Sequence, residues 1–479
     1  MEKRKTIGVL IGNIHTDHPQ RIIEGLYQEY SKKAEVDVHI FMGSESAAFF
    51  KGNASKSADY DYQYLCLYDY SFFDQLDASI ISIGSMSTLQ KIPNKKNYIK
   101  KYEYVPSIIL EDTIIPLKGS FIISNNYVGM YQNVTHLIEE HGYQNIVFLC
   151  GPRGNKDSDE RFSAYKDCMV AHQLKVTPKM FEYGDYSEYV DEQVERLFER
   201  NKNIDAIVSA NDEMTVAVYR VCEKKKLVVG RDIAVTGFDN MDVATFLRPP
   251  LTTIRQRSFY IGMSAARSTM DLLAGKDLDP QRISVEFISR NSCGCSLERE
   301  AAKEDEETSI TNVADEMRKV LHRSMMGPFL IRELFQIAED ENLFFHEIAF
   351  VLSEMGARSS YLYLLPETIV NKDMDSWKLP DELHLAVRQE GKNIYSFDPS
   401  VAPIIKQNDG LFQMNEDDAQ HIFFTYLLFD GPRQYGILSV EITPDELSFF
   451  YLMSLQIGTA LHYLEMVKEQ IESQEKLQE

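Results

Sequence analysis

A chain of 479 residues is longer than one hydrophobic core serves, because domains mostly run about 100 to 200 residues, and two or three domains are expected. Its composition, 44% hydrophobic and 26% charged, excludes an intrinsically disordered chain. With 50 Lys and Arg against 73 Asp and Glu, the formal net charge is −23, which repels phosphate backbones and makes nucleic acid a poor direct partner.

The basic stretch Met1–Lys5 runs straight into an apolar segment with no signal-peptide core, and no apolar run is long enough to span a bilayer. A cytoplasmic protein with no membrane partner is expected. Thr6–Ile11 reads as the first strand. Pro19 opens a helix with Ile22, Ile23, Leu26, Tyr27 and Tyr30 at helical spacing, and Val36, Val38 and Ile40 alternate as the second strand. Further strands are expected at Ala78–Ile83, Ser107–Leu110, Phe121–Ser124, Ile146–Cys150, Ala206–Ser209, Ile233–Thr236 and Val285–Ile288. Strands alternating with helical patterns are the mark of parallel α/β units.

The six cysteines are scattered, as reduced and packed thiols are. Cys293 and Cys295 form the one local pair. Two thiolates do not complete a zinc shell and no His cluster adjoins them in sequence, so a structural role and no metal are expected. Walker A, G-x-G-x-x-G, G-x-S-x-G and H-E-x-x-H are absent, which leaves those mechanisms without support and predicts neither enzyme activity nor cofactor.

Open α/β sheets bind ligands beyond the carboxyl ends of their strands. Polar groups gather at four such places: Gly12–His18, which holds His15 and Asp17; Ala210–Glu213, which holds Asn211; Gly237–Asn240, which holds Asp239; and the region beyond Ile146–Cys150, which leads to Arg161. Asn and Asp after a strand also serve as caps and turn formers, and spacing alone favours that role.

The segments Ala206–Asp212, Gly230–Asp239 and Pro249–Gln256, with Ser124–Tyr165 upstream, resemble successive blocks of the effector domains of lac-repressor-type regulators, which share the type I periplasmic-binding-protein fold. The resemblance spans roughly residues 6 to 290. It implies two α/β lobes closing on a sugar or other small polar ligand, with Arg161, Asn211, Asp239 and Gln256 on cleft-lining motif positions and Tyr186 at an aromatic one. Ala164 stands where that family usually has glycine. Such regulators carry a helix-turn-helix of roughly sixty residues before the first sensor strand, whereas the first strand here begins near Thr6, so a sensor without its own DNA reader is expected.

The charged run Leu297–Thr308 predicts a linker, placed at 297–312, which ends a sensor domain at 1–296. Helical patterns through Val313–Glu341 and Phe344–Met355 then lead to strands at Ser360–Leu365, Asn393–Phe397, Phe423–Phe429 and Tyr435–Ile442, with Asp430–Gln434 as a hairpin loop. This α+β pattern, assigned to 313–456, resembles a GAF-like or PAS-like domain through Tyr435–Glu441 and Leu455–Leu461. The closing helix, 457–479, carries Ile457, Leu461, Leu464, Ile471 and Gln478 in an alternation of four and three, with Lys468 and Glu475 at seam positions, and predicts a marginal coiled coil and a homodimer. Ser292–Cys295 is similar to the exit of sensors joined to diguanylate cyclases. The main expectation is a cytoplasmic sugar-like sensor in signal transduction, controlling a diguanylate cyclase output outside this chain; the alternative is a lac-repressor-type transcriptional regulator without its DNA-binding domain, acting through a partner.

Overall fold

The computed structural model describes residues 4–43, 59–86, 95–295, 325–398, 401–411 and 419–478. The proposed linker at 297–312 and the start of the helix expected from Val313 lie outside them.

Two α/β lobes form as expected. In the first, Lys5–Ile11 pairs in parallel with Val36–Met42 on one side and Ala78–Ser82 on the other, followed outward by Ser107–Leu110, Gly119–Ser124 and Gln281–Ile283. Helices Asp17–Tyr30 and Ser258–Leu273 cover one face, meeting where Gly25 and Gly262 let their backbones approach; a Cβ on Gly25 would lie 2.0 Å from the Phe259 carbonyl oxygen. The second lobe is a parallel sheet ordered Phe181–Tyr183, Ile146–Cys150, Ala206–Ser209, Ala234–Thr236. Its strands are mostly apolar because helices bury both faces, with Val147, Phe148, Ile207 and Val235 fully enclosed. The chain crosses between the lobes after Gly119–Ser124, after Thr253–Arg255 and after Gln281–Ile283.

The C-terminal part does not stand as a separate body. Strand Ile422–Asp430 lies parallel beside Val36–Met42, with Phe424 opposite Ile40, and the antiparallel run Arg433–Glu441, Ser359–Val370, Glu382–Glu390, Asn393–Ser396 continues outward into a single twelve-stranded sheet. One core on its face includes Ile40, Leu26, Phe424 and Leu438; the opposite core includes Phe41, Tyr68, Tyr361 and Ile437. Helix Gln63–Asp69, buried at every position, is stitched across the seam: Gln63 donates to the Gly431 carbonyl at 3.1 Å, Tyr70 to Gln434 at 3.1 Å, and the Trp377 indole to Asp69 at 3.0 Å. An edge strand as apolar as Val36–Met42 is an aggregation hazard when bare, and the C-terminal sheet covers it.

The coiled-coil expectation is corrected. Helix Leu447–Gln478 packs onto its own sheet, with Ile457, Leu461 and Leu464 buried, Tyr463 4.3 Å from Phe335 of helical residues 325–336, and Lys468 paired with Glu341 at 2.7 Å. Those seam positions have partners within the chain because the hairpin Ile422–Glu441 and helical residues 325–336 supply the apolar surface; beyond Lys468 the helix is exposed, Ile471 included. Among the described residues no helix is long and apolar enough to cross a membrane.

Candidate functional site

The carboxyl ends of the strands in both lobes face one cleft, and the charged side chains there form a connected set. Arg161, on helix Lys156–Ala171, is 3% exposed, so its charge must be met by fixed partners. Its Nη2 lies 3.2 Å from Asp239 Oδ1, its Nε donates to Asn126 Oδ1 at 2.9 Å, and its Nη1 donates to the Ala210 carbonyl at 2.6 Å. The guanidinium sits 3.8 Å over the Phe238 ring. Gln256, on the second crossing, donates to Asp239 Oδ1 at 2.6 Å and accepts from Ser124 on the first crossing at 2.5 Å. Asp239 therefore ties the second lobe to two of the three hinge segments.

Asn211 has two roles. Its Oδ1 accepts from the Met214 amide at 3.1 Å, which caps helix Glu213–Lys224, and its Nδ2 donates to the Tyr186 carbonyl at 3.0 Å. The capping role weighed from the sequence is thus real, and it coexists with a hold on Tyr186. The Tyr186 ring lies against Gly151, where a Cβ would come within 2.3 Å of it, and its hydroxyl donates to Asn155 at 3.3 Å.

From the first lobe come two residues that the sequence reading missed. His18 pairs through Nε2 with Glu111 and lies 2.6 Å from Ser258 Oγ through Nδ1, while Ser82 donates to the other Glu111 oxygen at 2.8 Å. Burial pushes the His18 imidazole down, but Glu111, Asp239 and Asp157 together outweigh it and hold the pKa above the ordinary 6.5. Burial likewise raises Glu111, and His18, the Ser82 hydroxyl and Arg161 overcome it, leaving the carboxyl below its usual value. Both directions favour the charged pair, with His18 as the cation and Glu111 as the anion. A third missed residue, Asp157, accepts from Asn126 at 2.7 Å; burial, with Arg161 opposing, raises it to about 6.

Three residues of this set have left-handed backbone: Glu111 at φ 60°, Tyr186 at 69° and Asp239 at 109°. Non-glycine residues take that region at a cost of order 1 to 3 kcal/mol, and such positions cluster at ligand sites. Two ion pairs join the lobes at the rim, Lys156 with Asp112 and Arg282 with Glu160.

His15 and Asp17 are placed elsewhere. The His15 ring packs edge-on against Tyr451 of the C-terminal helix at 4.5 Å, where burial lowers its pKa to about 4, and Asp17 pairs with Arg21 on the helix surface at 3.3 Å. The loop that was read as a single polar site splits, and only His18 of Gly12–His18 joins the Arg161 and Asp239 set. The cysteine pair also reads differently in three dimensions. His136 and His141 stand beside Cys293 and Cys295, a neighbourhood hidden in sequence by more than 150 intervening residues.

Residues 134–293 match the model of a periplasmic binding protein-like domain. The HTH-type transcriptional regulator CelR of Thermobifida fusca is 29% identical over 168 residues, 35% of this chain and 49% of that protein. The probable HTH-type transcriptional regulator EndR of Paenibacillus polymyxa is 29% identical over 203 residues, 41% of this chain and 58% of its own length. The chain thus spans about half the length of these curated relatives. A solved transcriptional regulator CelR–cellobiose complex superposes with a TM-score of 0.50 at 20% identity, covering 61% of this chain and 86% of that one; the likeness is one of fold. The α/β part accordingly has a two-lobed, periplasmic-binding-protein-like fold. Both relatives are named as transcriptional regulators.

Proposed function

We propose that the chain is a cytoplasmic small-molecule sensor in transcription regulation, whose two lobes close on a polyhydroxylated, sugar-like ligand. The observation that carries this reading is the Arg161–Asp239–Gln256–Ser124 chain, which places a charge-assisted acceptor and its orienting donors at the hinge between the lobes. A carboxylate accepts two hydroxyl hydrogen bonds while Arg and the amides fix geometry, and the Tyr186 ring offers an apolar face. The names of the curated relatives favour transcription over a cyclase-coupled output. With a net charge of −23, DNA contact is assigned to a partner protein that senses the closed form.

A melting-shift screen over sugars and related polyols tests the ligand. Asp239→Asn, which keeps shape and leaves Arg161 hydrogen-bonded, is expected to weaken the best ligand about ten- to a hundredfold, or about 1.4 to 2.7 kcal/mol. An affinity indifferent to both Asp239→Asn and Gln256→Ala contradicts this placement of the site.

A further inference from the structure

Outside the cleft, the second lobe brings together two imidazoles and two thiols that the sensing function does not use. His136 lies in the last turn of helix Asn126–Glu139, and His141 follows it in the turn closed by Gly142 at φ 69°. Cys293 ends the short helix Asn291–Cys293, and Gly294 at φ 99° turns the chain so that Cys295 comes back beside it. This reversal suits glycine on two counts, since a Cβ there would also lie 2.8 Å from the Tyr143 hydroxyl.

The ligand atoms converge. The two Nε2 atoms are 3.3 Å apart, Cys295 Sγ lies 3.5 Å from His136 Nε2 and 3.4 Å from His141 Nε2, and all four donor atoms, Cys293 Sγ included, fall within 4.8 Å of one another. A tetrahedral zinc ion with Zn–N of about 2.0 to 2.1 Å and Zn–S of about 2.3 Å requires edges of about 3.3 Å between nitrogens, about 3.6 Å from nitrogen to sulfur and about 3.8 Å between sulfurs. The nitrogen–nitrogen separation and the two from Cys295 lie within about 0.2 Å of those edges, and Cys293 Sγ falls within 4.8 Å of the other three donors. Four residues between the histidines also match structural zinc sites, while Cys-x-Cys is tighter than their usual cysteine spacing.

The surroundings hold these groups in place. Thr252 donates its hydroxyl to Cys293 Sγ at 3.1 Å and Ser289 donates to Cys295 Sγ at 3.5 Å, the hydroxyl contacts that stabilise thiolates in an outer shell. Asn291 donates to the Cys295 carbonyl and Tyr143 to the Cys293 carbonyl, both at 3.2 Å. The Tyr143 ring stacks on His141 at 5.3 Å, and Phe287 covers His136 at 4.7 Å. The Cys293 thiol donates to the Arg290 carbonyl at 3.2 Å; on metal binding that proton and the one on Cys295 leave to solvent, so uptake releases two protons.

We propose that His136, His141, Cys293 and Cys295 form a structural zinc site that clips the segment ending at Cys295 to the first helix of the second lobe. Two soft thiolates and two imidazoles in a tetrahedron select zinc over the oxygen-loving cations, and a full four-ligand shell leaves no open position for chemistry. This assignment is independent of the ligand in the cleft.

The test uses the full chain, purified under reducing conditions with no metal added to the buffers. Elemental analysis is expected to find about one zinc per chain, and replacement by cobalt(II) should give the visible bands of a tetrahedral ion with a thiolate-to-cobalt absorption in the near ultraviolet. Cys295→Ser and His141→Gln should each reduce bound zinc to background, whereas Cys168→Ser, at a thiol outside the cluster, should retain it. Wild-type protein that carries no zinc and yields no thiolate–cobalt absorption overturns the proposal, as does a Cys293–Cys295 disulfide that persists in reducing buffer. Zinc retained by both ligand variants overturns it too. Should a variant fail to fold, the wild-type cobalt spectrum decides.

Discussion

The two lobes share a fold and differ in what completes them. The second is self-contained: its parallel sheet, its enclosing helices and its core draw only on residues between Asn126 and Cys295. The first lends its edge strand Val36–Met42 to Ile422–Asp430, more than 370 residues away in sequence, and its cores on both faces are shared with the C-terminal sheet. The first lobe and the C-terminal strands thus share one sheet and the cores on both its faces, whereas the second lobe is joined to that body through three chain crossings.

The largest effect should come from dividing the molecule at the charged run. Residues 1–296 alone leave Val38, Ile40 and Phe41, all buried in the whole chain, on a bare edge and under uncovered faces, and the fragment is expected to aggregate or to lose the first lobe's cooperative melt. A monodisperse fragment melting like the full chain would mean that the shared sheet contributes nothing. Next in size, Phe424→Ala removes a fully buried ring lying 6.5 Å from Tyr27 across the seam, and should cost about 3 to 5 kcal/mol in urea unfolding. Its mark is location: hydrogen exchange should speed up in both the first lobe and the C-terminal sheet while the second lobe is spared. The same truncation at Phe148, buried in the second lobe's own core, should show the converse.

A smaller effect concerns pH. Because His18 keeps its proton in the fold above the ordinary 6.5, the native state binds more protons than the unfolded chain above that value. The stability it contributes is fully present below about pH 6.5 and is lost as pH rises through the folded pKa. His18→Gln should flatten that part of the stability curve, measured as melting temperature against pH, and an unchanged slope would remove the charged His18–Glu111 pair from the account.

What was legible in the sequence follows the same division. Ser107–Leu110, Ile146–Cys150 and Ala206–Ser209 were found to the residue, because apolar runs ended by Gly, Asn or Asp mark buried parallel strands. In the second lobe each site residue follows such a strand or sits on the next helix, so Arg161, Asn211 and Asp239 were visible as positions. His18 and Glu111 also follow predicted strands but were not singled out, and Asp157 opens a helix; each is a single charged residue, indistinguishable from a solvated one until the fold brings opposite charges to it. Strand Glu382–Glu390 was missed although Leu383, Leu385 and Val387 alternate, and Thr253–Arg255 is too short to show a period. The seam was hidden because strand periodicity tells which face is buried and says nothing of which strand lies alongside. The C-terminal stripe illustrates the converse error, since spacing alone does not tell a partner helix from the chain's own sheet.

The central claim, that one ligand is gripped by both lobes at the Arg161–Asp239 hinge, is tested most directly by hydrogen exchange on the full chain with and without the sugar giving the largest melting shift. The account predicts slowed exchange on both walls together, around Glu111 in the first lobe and around Asp157–Arg161, Tyr186 and Asp239–Asn240 in the second. Protection confined to one lobe, or found only in the C-terminal sheet, would contradict it.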